Sequence, residues 1–437
     1  MKNQPIIFSE LTDPFYQCDF FDEFDYARKS FVFAEGVSRC LDDSKTKLNN
    51  NVVVVGTSGC GKTTGFVEPN LMEAAGNYIV SDPKGVLCRK YRQYLQNKGY
   101  AVYQLDFQHP ETSMGWDPLI HIQNTQDIMR IASVLVTDEI SLKLDPYWDR
   151  MTVLLICAII SYMLETNYQP RNLHSVLELL REGDRHERKV GIGSERYTDT
   201  KSSRLSDRFE RLRLQNPDSW ACQQFANVDT TPDKTYDCIR STLASKFAQF
   251  DTKEIEQMMS SNEIDFREIA ENKSVVFVMQ SDCDRSMDTL VNLFMTQAIQ
   301  AFYEIADGYS DHRLPIPMRF FLDDYGATTV INHLDCIIST IRSRGISVSL
   351  ILQSEAQLMK GKSGDDKTIL ANCDTYIYMG GNDVDTAKSV SQRCNKPLEQ
   401  VLYMPVGCCW VFERGKKPVF ARISARPELH KDIEYDR

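Results

Sequence analysis

Four consecutive valines, Val52–Val55, run directly into Gly56-Thr-Ser-Gly-Cys-Gly-Lys-Thr-Thr64 and then into the stretch GFVEPNL. An apolar run without polar alternation suits a strand buried on both faces, as in a parallel sheet. Gly56, Gly61, Lys62 and Thr63 then satisfy the pattern GxxxxGK[ST] in the strand–loop–helix context that gives it meaning. Such a loop lets successive backbone N–H groups surround phosphate oxygens, and the following helix adds partial positive charge. Lys62 is placed to reach the β- and γ-phosphates, and the Thr63 hydroxyl to ligate Mg²⁺. Gly56, Thr57, Ser58, Gly59, Cys60, Gly61, Lys62, Thr63 and Thr64 are therefore the expected phosphate cradle. A chain built on this unit is constrained to an α/β fold.

The rest of the sequence repeats the same grammar. Apolar runs at 77–82, 101–107, 274–280, 319–325, 347–353 and 374–380 are each followed by a helical stretch. That alternation predicts crossover units around a mainly parallel sheet. A last pair of strands, 409–424, turns at Gly415 and closes one edge. Between about Ile120 and Phe266 the alternation stops. Helical segments replace it at 125–135, 147–165, 172–182, 206–215 and 234–250. The expected organisation is an N-terminal extension (1–30), an α/β nucleotide-binding domain (31–119 and 267–437) and an inserted all-α domain (120–266). The charged, apolar-poor stretch 181–204 reads as a solvated linker or arm, with a flexible substrate-contacting element as the alternative.

At 437 residues, one large α/β domain plus an insert is the natural size. Hydrophobic residues make up 42% and charged residues 25%, which describes an ordinary globular chain. The formal charge of −11 is not that of a protein that coats nucleic acid or membrane, so any nucleic-acid contact is confined to a pore or groove. Thirteen cysteines show no CxxC pair and no zinc spacing, which fits small buried residues in a reducing compartment. The first residues show no basic segment followed by an apolar run, so no signal peptide is expected. The longest apolar run, Thr152–Leu164, falls short of the roughly 20 residues a bilayer needs and reads as a buried helix.

A phosphate loop needs a carboxylate at the end of a nearby strand to hold the Mg²⁺ shell. The segment RFFLDDY supplies Asp323 for that role and Asp324 to orient or deprotonate the attacking water. The same acidic pair could instead begin a loop or cap a helix. Gln353, at the end of SVSLILQ, is placed to sense the γ-phosphate. Arg342 and Arg344 end the helical turn before that strand, where an arginine can reach a neighbouring subunit's γ-phosphate. Beside Gly345, either arginine could equally be a helix C-terminal charge.

Taken together, NNNVVVVGTSGCGKTTGFVEPNL, VSDPKGVL, MGWDPL, DPYWDRM, RFFLDDYG, IISTIRSRGISVSLILQSEAQL and ANCDTYIYMGG resemble the type IV secretion coupling proteins, the TraG/TraD-type conjugative DNA-transfer ATPases. These belong to the additional-strand P-loop class that also holds FtsK-like translocases. The likeness extends from about Phe31 to Ile423. It implies a RecA-like nucleotide domain with an all-α insert, assembling as a homo-hexamer that uses ATP and Mg²⁺. It implies DNA, single-stranded and non-sequence-specific, as cargo. A relaxase or other secreted protein and a membrane-embedded channel component are the implied partners. Lys62 and Thr63 match the family's P-loop positions, Asp323 its metal carboxylate, Gln353 its sensor and Arg342 its finger. Asp82 and Lys84 fall in its Asp-Pro-Lys-Gly stretch, read as site support.

Two departures stand out. Asp324 occupies the position of the family's catalytic Glu and is one methylene, about 1.5 Å, shorter. Family members also usually begin with transmembrane helices and none is expected here, so the chain reads as cytoplasmic, either recruited to the inner membrane face by a separate anchor or a truncated or mobile-element variant whose coupling role is altered. The sequence supports a DNA-moving motor first. A nucleotide-gated receptor or adaptor with little turnover is the alternative, and a chromosome-segregation translocase a neighbouring third.

Overall fold

The computed structural model describes residues 29–136, 146–192, 195–281, 283–326, 331–360 and 366–427. All but the last two residues of the expected N-terminal extension lie outside these ranges. Thirteen strands are present among the described residues: β1 (Ser30–Ala34), β2 (Val37–Cys40), β3 (Val52–Val55), β4 (Asn77–Ser81), β5 (Ala101–Asp106), β6 (His186–Ile192), β7 (Glu195–Ser202), β8 (Ser274–Met279), β9 (Met318–Leu322), β10 (Ile346–Leu352), β11 (Thr375–Tyr378), β12 (Cys408–Glu413) and β13 (Val419–Arg422). Nine of them form one sheet in the order β13-β12-β11-β3-β10-β9-β4-β8-β5. From β11 to β5 every neighbouring pair is parallel. The terminal β12 and β13 are antiparallel, as the 409–424 pattern led one to expect.

The valine run is explained by the two cores that sandwich this sheet. Val53 and Val55 enter one, with Val276, Val278, Phe320, Leu350 and Leu352. Val52 and Val54 enter the other, with Phe66, Val275, Phe277, Phe321 and Ile351. Successive side chains point to opposite faces, so a strand covered on both sides has no position for a polar residue. The second core is closed by the β1–β2 hairpin, which the sequence reading did not anticipate. Its Phe31 and Phe33 are fully buried, and the Arg319 guanidinium lies 4.1 Å from the centre of the Phe31 ring.

Among the described residues between β5 and β8, none joins the central sheet. This stretch holds helices Thr125–Val136, Pro146–Glu165, Leu173–Arg181, Arg204–Gln215, Trp220–Asp229 and Asp233–Phe247. Side-chain caps start several of these. Asn172 accepts from Ser175 N, Ser203 from Ser206 N and Ser219 from Cys222 N, the local chemistry that favours those residues at a helix start. Pro146–Glu165 is long and apolar enough to cross a membrane by length and composition. Its segment Leu155–Ile160 is nonetheless fully buried, packed among the neighbouring helices. In one respect the insert differs from the reading: 186–192 and 195–202, expected as linker, pair as an antiparallel hairpin. Thr, Tyr and Val, residues favoured in strands, are interspersed among the charged ones in this stretch.

The helix after the phosphate loop opens with a π-helical turn, Thr63–Val67, continuing as Glu68–Met72 with Pro69 in its first turn. Proline has no N–H to donate, so the wide turn sits where a regular ladder bond would be missing. Against this turn lies the segment after β13. A Cβ on Gly65 would stand 2.2 Å from Ile423 Cγ2, so only glycine admits the contact. Glu68, buried, gathers Lys90, the Tyr91 hydroxyl at 2.9 Å and Arg426 at 3.3 Å. Gly65→Ala is therefore expected to lower stability by about 1–3 kcal/mol, and adding Ile423→Ala should return most of it. Equal urea midpoints for the single and double variants would refute this packing.

Candidate nucleotide site

Parallel strands place all their C-terminal ends on one side of the sheet, and ligands of open α/β sheets bind outside those ends. Here that side carries the loop after β3, Asp82 after β4, Asp323 and Asp324 after β9, and Gln353 after β10. Strand β10 lies between β3 and β9. This is the additional strand of the class suggested by the sequence, and it sets Gln353 between the phosphate loop and the acidic pair.

The loop is pinned at its base. Gly56 N donates to Leu352 O at 3.0 Å and Thr57 N to Gly380 O at 3.0 Å, tying it to β10 and to the end of β11. A Cβ at Gly56 would lie 2.6 Å from Cys60 Sγ and 3.0 Å from Met379 Cβ, so the turn closes only on glycine. Gly59 and Gly61 take φ values of +78° and +98°, which L side chains rarely adopt. Thr57, Ser58 and Gly59 are exposed at the tip, and Cys60, Gly61, Thr63 and Thr64 are half-buried. Cys60 is packed inside the loop, and burial pushes its thiol pKa up.

Lys62 is buried, its Nζ donating to Gly56 O at 2.6 Å and Thr57 O at 3.1 Å. The ammonium thus folds back across the mouth of its own loop. The Thr63 hydroxyl donates to Asp323 Oδ2 at 2.5 Å. Asp324 N donates to the other oxygen, Oδ1, at 3.1 Å, and Gln353 Nε2 donates to Asp324 Oδ1 at 3.2 Å. Asp324 has φ +50°. Asp tolerates the left-handed region better than longer side chains do, because it can bond locally, which accounts physically for Asp in place of Glu here.

Burial drives the Asp323 carboxyl above its ordinary pKa, and the neighbouring Asp324 charge adds to that. The Thr63 hydrogen bond and the Lys62 charge oppose it. A threonine hydroxyl and a buried carboxylate, both hard oxygen donors, fit Mg²⁺, whose charge would relieve the burial penalty on Asp323.

The structure brings Lys62, Thr63, Asp323, Asp324 and Gln353 together, and it places both arginines elsewhere. Arg342 and Arg344 lie in the 3₁₀ turn Ile341–Arg344 before β10, at the opposite end of the sheet. The seven residues of β10 separate them from Gln353, on the order of 20 Å. Arg344 is locked in place: Nη2 lies 3.0 Å from Asp307 Oδ1, and its guanidinium stacks 3.9 Å from the Tyr303 ring centre. Arg342 is the more exposed and bonds Asp43 through Nε at 3.3 Å. Asp82 accepts from Val86 N at 3.1 Å and Cys88 N at 2.8 Å, so it anchors the helix Val86–Asn97 at the rim of the site. Asp43 and the C-terminal segment that braces the P-loop helix were missed by sequence reasoning. Both reach their places through tertiary contacts, and neither carries a local signal.

This fold and site define a RecA-like P-loop NTPase with a largely helical insert. Residues 23–397 match the family described as type IV secretory system conjugative DNA transfer, and the chain belongs to that family. It is similar in structure to the bacterial conjugative coupling protein TrwBΔN70 in complex with sulphate, with TM-score 0.65 and 14% identity over 91% of each chain. The plasmid coupling protein TrwB in complex with the non-hydrolysable ATP analogue ADPNP gives TM-score 0.64 and 14% identity, again over 91% of each. VirB4 of Thermoanaerobacter pseudethanolicus gives TM-score 0.54 and 12% identity over 91% of this chain and 96% of that one. No curated protein sequence matches the chain.

One titration checks the site. A carboxyl whose folded pKa lies above its unfolded value favours folding at pH below the ordinary 3.8 and loses that contribution as pH rises through the folded pKa. The stability of the ligand-free protein relative to Asp323→Asn is therefore expected to fall as the pH rises above about 4 and through the raised folded pKa. Parallel melting curves over that rise in pH would contradict it.

Proposed function

We propose that the chain is an ATP-hydrolysing coupling protein that moves single-stranded DNA, or a DNA–relaxase complex, to a type IV secretion channel. The observation that carries the reading is the 2.5 Å contact of Thr63 with Asp323, flanked by Lys62 on one side and by Asp324 and Gln353 on the other. Family membership supports the cargo, and the solved TrwB complexes with ADPNP and with ADP and Mg²⁺ support the nucleotide.

In this reading Thr63 and Asp323 would hold Mg²⁺, which when bound would supply charge neutralisation at the phosphates. Lys62 exchanges its two carbonyl partners for phosphate oxygens. Asp324 takes the proton of the attacking water at its carboxylate, and Gln353 fixes that carboxylate through its Nε2. Arg342, too far from its own loop, serves the site of an adjacent subunit in a homo-hexamer. Arg344 is left to its structural pair with Asp307. The protein works on the cytoplasmic side, held near the membrane by a partner. With a net charge of −11, its DNA contacts are local to a pore.

Purified protein is expected to hydrolyse ATP faster when single-stranded DNA is added, and Lys62→Ala should reduce that turnover at least about a hundredfold. DNA stimulation that survives in Lys62→Ala would exclude this site as the engine.

The Asp324 geometry favours one second reading, a nucleotide-gated receptor for protein cargo with little turnover. Asp324→Glu separates the two. For the motor, the longer side chain in left-handed backbone should leave turnover within about threefold of the natural protein. A gain of tenfold or more would favour the receptor.

A further inference from the structure

At the end of the sheet opposite the phosphate loop, an open cavity of about 440 Å³ is lined by Asp43, Ser44, Arg313, Ser339, Arg342 and Ser343. Its floor is one carboxylate shared by two arginines. Arg313 Nη2 meets Asp43 Oδ1 at 2.7 Å, and Arg342 Nε meets Oδ2 at 3.3 Å. Arg342 also donates from Nη2 to the Asp43 carbonyl at 3.1 Å. The Asp43 side chain is 10% exposed, whereas Arg313 and Arg342 are 34% and 38% exposed. The carboxylate is thus the buried base, and the guanidinium groups are the open rim.

Three separate elements build this arrangement. Asp43 opens the short helix Asp43–Thr46 after β2, whose start is capped by Asp42 accepting from Ser44 N. Arg313 precedes β9 and Arg342 precedes β10. The two connections are tied together by Leu314 N donating to Arg344 O at 3.0 Å. Gly345, at φ +73°, completes the fit: a Cβ there would stand 3.2 Å from Arg313 Cγ and 3.4 Å from its Nε. Its lack of a side chain lets the Arg313 stem lie across the backbone beside Arg342.

Two guanidinium groups against one carboxylate leave one net positive charge and N–H donors facing the cavity, with three serines around it. That is the chemistry of a phosphate oxyanion site. We propose that Arg313 acts together with Arg342 on the terminal phosphate of a nucleotide held in the P-loop of a second copy of this chain, with Asp43 as the residue that positions both. The inference rests on the trans role given to Arg342 above. It adds a second arginine contact and a fixed geometry for the pair.

Subunit mixing tests it. Arg313→Ala is expected to bind ADPNP within twofold of the natural protein and to lose ATP turnover about 10–100-fold. Lys62→Ala subunits lack a working loop but keep an intact arginine clamp. Mixed with Arg313→Ala as dissociated subunits in equal amounts, they should restore up to about a quarter of natural turnover, because one in four head-to-tail interfaces then pairs an intact loop with an intact clamp. Arg313→Lys, which keeps the stem over Gly345 but lacks the fork, should show the same loss and the same rescue. Asp43→Asn should show a smaller loss that the same mixing also rescues.

Arg313→Ala turnover within twofold of natural would overturn the proposal. So would a loss that mixing fails to rescue while the loss in Arg342→Ala is rescued, and that result would leave the trans reading standing. Failure to rescue either arginine would bring down the trans reading and the proposal with it. Inorganic pyrophosphate that binds monomeric Lys62→Ala in an Arg313-dependent manner, with no rescue on mixing, would assign the cavity to a free phosphate and likewise overturn the proposal.

Discussion

The hydrogen bond from the Thr63 hydroxyl to Asp323 joins the ends of two strands that are not neighbours in the sheet. Strand β10 separates β3 from β9, and the contact bridges across it. Everything chemical on this side of the molecule is arranged around that bridge. The loop base is bonded to β10 and to the end of β11, Lys62 is drawn inward, and Asp324 N completes the set of donors on the Asp323 carboxylate. A carboxylate so buried has its charged form disfavoured by desolvation. The position is therefore primed for a cation, and the protein carries a local electrostatic cost for being ready.

The same topology that gathers this half-site excludes the arginines from it. A parallel strand has two chemically distinct ends, and β10 puts Gln353 at one and the Arg342 turn at the other. No rotamer of a side chain spans the length of a strand. In the proposed function these two ends of the sheet supply complementary halves of one site, completed between two copies of the chain. Arg344 shows what an arginine in that turn looks like when it is structural, with an acidic partner and a stacked ring.

Much of this was legible in the sequence because it is local. The apolar run Val52–Val55 leaves no outcome but a strand covered on both sides, and the glycine spacing that follows has one common structural solution. The acidic pair after RFFL and the glutamine after SVSLIL were readable because a parallel sheet sends every strand end to the same side. The hairpin 186–202 was not, since its charged composition resembles that of a solvated linker and its strands pair outside the central sheet. Neither was Asp43. Nothing in LDDSKT marks a carboxylate that will meet two arginines 270 and 299 positions away. Gly65 reads as an ordinary residue of a P-loop helix until the chain returns at Ile423 to lie against it.

That return has a bearing on how the molecule comes into being. Asp323, the partner of Thr63 in the phosphate loop, follows it by 260 residues, and the Ile423–Arg426 brace comes later still. Contacts so distant along the chain are slow to form, and a growing polypeptide completes its early parts first. On the ribosome the valine strand and its glycine turn emerge long before the strands β9, β10 and β11 that will flank and back them. The surroundings of the phosphate loop are thus assembled only after the distant strands that flank it have been made.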